Sequence, residues 1–478
     1  MSKPNFRAGE TDRAENETAR ATRSRAVEAL KAGDRAAAVA FARHAQLLHP
    51  DEAQLTNFEA RNAFALNRTA EAHHGFRRTL VLRPDHLEAW RHRGIHAFMQ
   101  LETDSAASAW RHALALDPGD FATLRNLFQA ARRKGDWTIA ERVGRRAMAL
   151  RPHDDQAAFD LGMHYLSLHR WAEGWPLYDR RIHLPSAKPR PDRYALPYWD
   201  GKPAPDLRLL VWADQNVGDE MQFAQLLPDL LRDVGTVTLE CDPRLVPVFG
   251  RSFPALRVVA RADPPADPGP FDAQIPQGHL GRLYRPSDDR FEAAPRTWLL
   301  ADPERAAALR QHYEELSGGR PVVGIAWKSA NTVFQGKNVP VADWTPILQT
   351  AGAAFLSVQY GDVADDLATM RAGSGVDILH DPSIDALHDM DGFGAQLSAV
   401  DLVISISNST IHQACGLGRP VWAMLHVRPD WRWGMAGADC PWFPSLRLYR
   451  QSVRFDWAPV AAAVARDLAE WVAGRRPA

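Results

Sequence analysis

Two stretches of the sequence put reactive side chains where a strand gives way to a helix. In the first, Trp212-Ala213-Asp214-Gln215-Asn216-Val217-Gly218-Asp219-Glu220 follows a short apolar run and precedes a helical pattern. Open parallel sheets bind their ligands beyond the carboxyl ends of strands, at loops of this kind. Asp219, set at a glycine turn and expected to be exposed there, has two readings. It removes the proton of an acceptor hydroxyl held within hydrogen-bond reach, or it is the acid that caps the following helix.

The second stretch is Asp401-Leu-Val-Ile-Ser-Ile-Ser407, then Asn408-Ser409-Thr410-Ile411-His412. A buried strand runs into a polar helix start, and Ser407, Asn408, Ser409 and Thr410 gather hydroxyls, an amide and free backbone N–H groups at the positive end of a helix dipole. That is a site for a phosphate or diphosphate; the competing reading makes Asn408 or Ser409 a plain cap and packs His412 inside. Gly416 and Gly418 then end the helix. Lys328 and Lys337 lie in one strand-to-helix loop, either as cations for the same anion or as solvent-facing lysines.

These loops need sheets behind them. Apolar runs alternate with amphipathic ones at 207–211, 222–231, 236–240 and 257–259, and again at 322–327, 344–348, 354–358, 401–405, 411–415 and 421–425. Such alternation predicts two Rossmann-like α/β lobes, 206–317 and 320–478, with the hinge at Gly318-Gly319. Before them, 185–205 carries six prolines and reads as an extended linker or strap.

The N-terminal third has a period instead. Leu-x-Pro recurs at Pro50, Pro84, Pro118 and Pro152, every 34 residues, and Ala38, Ala72, Ala106 and Ala140 recur in the same register. Trp90 and Gly94 take the aromatic and small positions of a first helix, and Phe76, Trp110 and Tyr178 the aromatic position of a second. In a degenerate last unit Gly162 and Tyr165 keep the pattern while Gly174 replaces the alanine. The pattern resembles the tetratricopeptide (TPR) family over 19–184. It implies stacked helix pairs whose concave face takes a peptide or protein partner.

Lys plus Arg (57) nearly balances Asp plus Glu (58), which removes the electrostatic case for nucleic acid as a partner. No apolar run is long enough for a membrane span, and the first twenty residues are polar rather than signal-like. Three widely spaced cysteines, Cys241, Cys415 and Cys440, form no metal-type pair and suit a reducing compartment. A cytoplasmic protein is expected.

Together the motifs resemble GT-B glycosyltransferases of the heptosyltransferase-like group over about 195–478. The Gly218-Asp219 turn is similar to that group's early Gly-Asp motif, whose acid acts as base or acceptor contact. The segment from Ser407 to Gly418 is similar to its donor-phosphate segment, departing at Asn408 where the group generally carries Asp, which sets an ADP-heptose donor in question. The subset of flagellin glycosyltransferases is most similar, through the pattern around Gln359 and Tyr360 and the Trp431-Arg432-Trp433 loop. It implies a CMP-linked nonulosonic acid as co-substrate, no bound metal or other cofactor, and a flagellin-like protein acceptor. Lys337 with Pro340 and Trp344 also looks like the phosphate-contacting lysine region of TPR-bearing O-linked N-acetylglucosamine transferases.

The implied reaction is transfer to a Ser or Thr hydroxyl of a protein held by the TPR groove, with Asp219 catalytic and Lys328, Lys337, Gln359, Tyr360, Ser407, Asn408, Ser409, Thr410 and His412 at the donor. The resemblance further implies that the last helix, 457–472, crosses back onto the first lobe. Two rivals stand beside it: a noncatalytic scaffold of the same architecture, and a transferase whose acceptor is a glycan.

Overall fold

Proline spacing sets the helix ends of the N-terminal stack. The computed structural model describes residues 21–187, 193–262, 270–329 and 336–474. In it the helices Arg35–Leu48, Thr69–Leu82, Thr103–Leu116 and Trp137–Leu150 each stop two residues before a Leu-x-Pro proline. The reason is steric, since a proline pushes the residue before it out of the α region. Ala53–Ala65, Leu87–Met99 and Phe121–Lys134 pack antiparallel to the helices that follow them. Ala38, Ala72, Ala106 and Ala140 are fully buried at these contacts. Gly94 serves the same close approach: a Cβ there would overlap the Trp110 indole, whose Nε1 donates to the Arg91 carbonyl at 3.1 Å. The polar first twenty residues, with the expected start of the array at 19, lie outside the described residues, as do 188–192 of the expected linker and 475–478 of the expected second lobe.

The chain divides into two compact units, Met1–Ala158 and Phe159–Ala478. The helix Asp155–Ser167 starts before that division, while Trp171–Tyr178, the last helix of the degenerate repeat, lies wholly in the second unit. Gly174 stands where other repeats carry alanine because the Leu166 backbone nitrogen would be 3.0 Å from any Cβ added there.

In the second unit, β1 (Ala204–Trp212), β2 (Val234–Cys241), β3 (Arg257–Ala260) and β4 (Ala273–Pro276) form a parallel sheet in the order β3-β2-β1-β4. A second parallel sheet orders β5 (Val322–Ile325), β6 (Ala354–Ser357), β7 (Leu402–Ile406), β8 (Val421–Leu425) and β9 (Leu446–Arg450) as β6-β5-β7-β8-β9. β7 and β8 are buried at every residue, as parallel strands covered on both faces must be. The proline-rich strap is fastened to β4: Trp199 N–H donates to the Gln274 carbonyl, and Gln274 N–H to the Pro197 carbonyl, both at 2.9 Å.

Two expectations are corrected. The helix Pro303–Ser317 packs on the helix Met390–Ser398 and on β5, and Tyr313 in it donates to Asp381 at 2.7 Å. Gly318-Gly319 therefore cap that helix inside the second lobe, Gly318 in the left-handed conformation, and do not hinge the lobes. The last helix, Ala458–Ala473, does not cross back. Its apolar face, Val460, Ala461, Val464, Leu468 and Val472, joins the core around Val323, Ile325 and Trp344, and Asp467 takes a hydrogen bond from Tyr449 of β9 at 3.0 Å. A helix settles where its apolar stripe finds one to match. No helix among the described residues is long and apolar enough to cross a membrane.

Gly94→Ala is expected to destabilise the first unit by about 1–3 kcal/mol through overpacking against Trp110. Urea unfolding followed by far-UV circular dichroism checks it; an unchanged midpoint refutes the close-packing account.

Candidate functional site

β1 delivers the chain into Ala213–Asn216, and the short helix Val217–Phe223 begins where that loop ends. It packs against the helix Ser409–Gly416, which follows β7 of the other lobe. The approach is close: a Cβ on Gly218 would lie 3.0 Å from the His412 ring. Gly218 leaves room for the His412 ring and has no left-handed backbone to accommodate.

Asp219 is buried, at 7% exposure, which corrects the expectation of an exposed acid. The second lobe covers it with Arg432, and the two side chains form an ion pair across the lobes. The other carboxylate oxygen accepts from Asn216 N–H at 3.2 Å. Asp219 is thus both a cap and a charged partner, and its oxygens keep lone pairs for a further donor. Burial pushes its carboxyl up, while the Arg432 guanidinium pulls the other way. Arg432 is held firmly protonated by Asp430 and Asp219 despite its burial.

Lys337 belongs to the same cluster. Burial brings its ammonium down to about 8, against the attraction of Asp430 and Asp219 and with the repulsion of Arg432. His412 is packed between Trp433 and Phe443, with ring centroids at 5.5 and 5.4 Å. Burial, Arg432 and Lys337 hold it neutral, well below the usual imidazole range.

At the head of Ser409–Gly416 the hydroxyl of Ser407 accepts from Trp433 Nε1 at 2.9 Å. Asn408 makes no side-chain cap bond; its Oδ1 accepts from Ser405 at 3.0 Å. Asn408 Nδ2, Thr410 Oγ1, His412 Nδ1 and Arg432 Nε are buried without a hydrogen-bond partner among the described residues. Orphaned buried donors are costly, so several of them beside a helix N-terminus mark a place suited to an anion. Ser409 sits half-buried at the first turn.

The remaining expected residues lie at the carboxyl ends of β5 and β6. Gln359 Oε1 accepts from the Trp327 and Lys328 N–H groups at 2.9 and 2.8 Å, and Gln359 Nε2 donates to the Tyr360 carbonyl at 3.0 Å. Lys328 donates to Asp366 at 2.7 Å and to the Asp362 carbonyl at 2.8 Å. These groups are engaged in fastening loops. Asp219, Lys337 and His412 are the ones brought together with Arg432. The sequence places Arg432 only within the Trp431-Arg432-Trp433 loop that carries the resemblance and gives it no role of its own; its one signal is a lone cation between two tryptophans.

No family model matches the chain. It is 32% identical over 328 residues to Protein FlbA of Caulobacter vibrioides (strain ATCC 19089 / CIP 103742 / CB 15), a match covering 64% of this chain and 54% of that protein. The chain therefore spans about half the length of the curated relative it matches. Among solved structures it is similar to YrrB, described as a TPR protein with an unusual peptide-binding site, at 15% identity and TM-score 0.33 over 37% of this chain and 90% of that one. The MamA protein matches at 18% and 0.31 over 35% and 88%, and the type IV pilus biogenesis factor PilW at 19% and 0.31 over 35% and 78%. Matches at this level say nothing about what the chain binds.

Arg432→Ala leaves Asp219 buried without its partner and is expected to cost about 3–5 kcal/mol. The double variant Arg432→Met, Asp219→Leu should recover most of that loss in a denaturant titration. Equal instability of the single and double variants would refute a covered ion pair.

Proposed function

We propose that the second unit is a glycosyltransferase of GT-B type, moving a sugar from a nucleotide-sugar donor to a Ser or Thr hydroxyl of a protein acceptor. The supporting observation is the meeting, across two parallel-sheet lobes, of the Asp219 carboxylate with Lys337, Arg432 and the orphan-lined start of Ser409–Gly416. Asp219 takes the acceptor proton as the glycosidic bond forms. The departing phosphate is received by Lys337, by Asn408 Nδ2 and Thr410 Oγ1, and by the helix N–H groups, which stabilise charge as it develops. Asn408 supplies a donor where an aspartate would repel a phosphate. The helical stack of the first unit serves as the surface for the acceptor. By the sequence resemblance, the donor is a CMP-linked nonulosonic acid and the acceptor flagellin-like.

Purified full chain is expected to gain thermal stability with one of CMP, UDP, GDP or ADP, and to lose that gain in Ser409→Ala and Lys337→Ala. Asp219→Asn should keep the nucleotide shift and lose roughly 10²–10⁴-fold in turnover, the range for a general base. Nucleotide binding without sugar transfer or donor hydrolysis favours the noncatalytic scaffold.

Lys337 also sets a pH dependence. It is charged below about 8 and loses its proton above. Nucleotide affinity should therefore fall as pH rises through that value, and Lys337→Arg should carry tight binding to higher pH. Calorimetric titration with the stabilising nucleotide from pH 6.5 to 9.5 reads this; a flat profile refutes a phosphate role for Lys337.

Removing residues 1–154 is expected to abolish transfer to a protein acceptor and spare the nucleotide shift. Removing 1–184 should abolish both, because it deletes Trp175 and Tyr178, which are buried in the core of the second unit. Transfer to protein by the shorter truncation would sink the acceptor role of the stack.

A further inference from the structure

The helix Trp171–Tyr178 and the turn Asp179–His183 that continues it come from the repeat pattern, yet both lobes hold them. Trp171 Nε1 donates to Asp288 and Trp175 Nε1 to the Arg285 carbonyl, each at 2.7 Å. The Trp175 ring meets Trp431 and Trp442 of the second lobe edge-on, with centroids at 5.6 and 6.1 Å. Gly281 of the first lobe lies so close that an added Cβ would be 2.6 Å from the same indole.

From this anchorage two side chains reach the loop that leads into the helix carrying Asp219. Tyr178 donates its hydroxyl to Gln215 Oε1 at 2.9 Å. Arg181 Nε donates to Asp214 Oδ2 at 2.8 Å, and Asp214 Oδ1 accepts from Gly278 N–H at 3.0 Å. The Arg181 guanidinium stacks 4.5 Å above the Tyr178 ring, so the pair acts as one block. Burial holds the Tyr178 phenol protonated and able to donate. On its other side Tyr178 packs against Trp431 at 5.4 Å, the residue next to Arg432. The block thus touches the approaches to both halves of the Asp219–Arg432 pair.

We propose that Arg181 and Tyr178 are positioning residues: they hold Asp214 and Gln215 so that Asp219, four residues beyond Gln215, stands where an acceptor hydroxyl arrives. Its catalytic consequence rests on the reading of Asp219 as the base. Small misplacements of a reacting group cost large factors in rate, and Asp214 and Gln215 lie just beyond the last bond of the β1 ladder, from Ala213 N–H to the Glu240 carbonyl at 3.0 Å.

The test uses the full chain with Arg181→Ala, Arg181→Lys and Tyr178→Phe. Tyr178→Phe keeps the buried ring and loses one hydroxyl, so it remains informative where Arg181→Ala fails to fold. Hydrogen exchange by mass spectrometry is read over 213–220, with 234–241 and 409–416 as internal comparison. Roughly tenfold faster exchange confined to 213–220 is expected, with Arg181→Lys intermediate. With nucleotide-sugar turnover, kcat should fall roughly 10²-fold while donor KM holds. Unchanged exchange over 213–220, or equal acceleration in all three segments, overturns the positioning role, as does a rise in donor KM at constant kcat. A wild-type chain that turns over no nucleotide-sugar sinks the transferase reading instead, and the holding of the loop is still decided by exchange.

Discussion

One ion pair, Asp219 with Arg432, is the constraint around which the second unit is arranged. Neither charge is cheap to bury, and the attraction between them offsets the lost hydration only when geometry and further bonds are good. Asn216 N–H supplies one such bond to the acid, and Asp430 adds a second negative charge 3.8 Å from the guanidinium. The same demand explains the aromatic density of the region. Trp431, Trp433, Trp442 and Phe443 exclude water around the pair and fix the loop that presents Arg432.

The pair also joins two lobes that have independent sheets. Each lobe brings one charged residue from just beyond the carboxyl end of a strand, Asp219 in the helix turn after β1 and Arg432 after β8, the edge where parallel sheets place their ligands. A neutral contact would have packed as well. A charged one differs in that either partner left alone would be a buried, uncompensated charge.

Much of this was legible in the amino-acid order, for local reasons. The 34-residue period announces paired helices because proline and alanine act on their own neighbours. Ser407 to Gly418 announces strand, polar turn and helix because capping is also local. The burial of Asp219 was not legible, since the covering residue is 213 positions away in the chain. The same holds for Tyr178 and Arg181: a repeat-like helix was expected to stay with its repeats, and its tryptophans show their other partners only once the lobes are folded. Gly318-Gly319 misled as a hinge because a helix cap and a domain hinge share the same composition.

Gln274 has a consequence for synthesis. Its side-chain amide is shared among the Trp212 indole and the Tyr194 and Leu196 carbonyls, donors and acceptors lying up to 80 residues upstream. None of those groups can exchange water for this native partner until β4 has left the ribosome. At 5–20 residues per second that is a wait of roughly 4–16 s, during which β1 has an unpaired edge and its strap has nowhere to dock. The first lobe must therefore close late in its own translation, and the nascent chain spends those seconds with an open strand that a chaperone could cover.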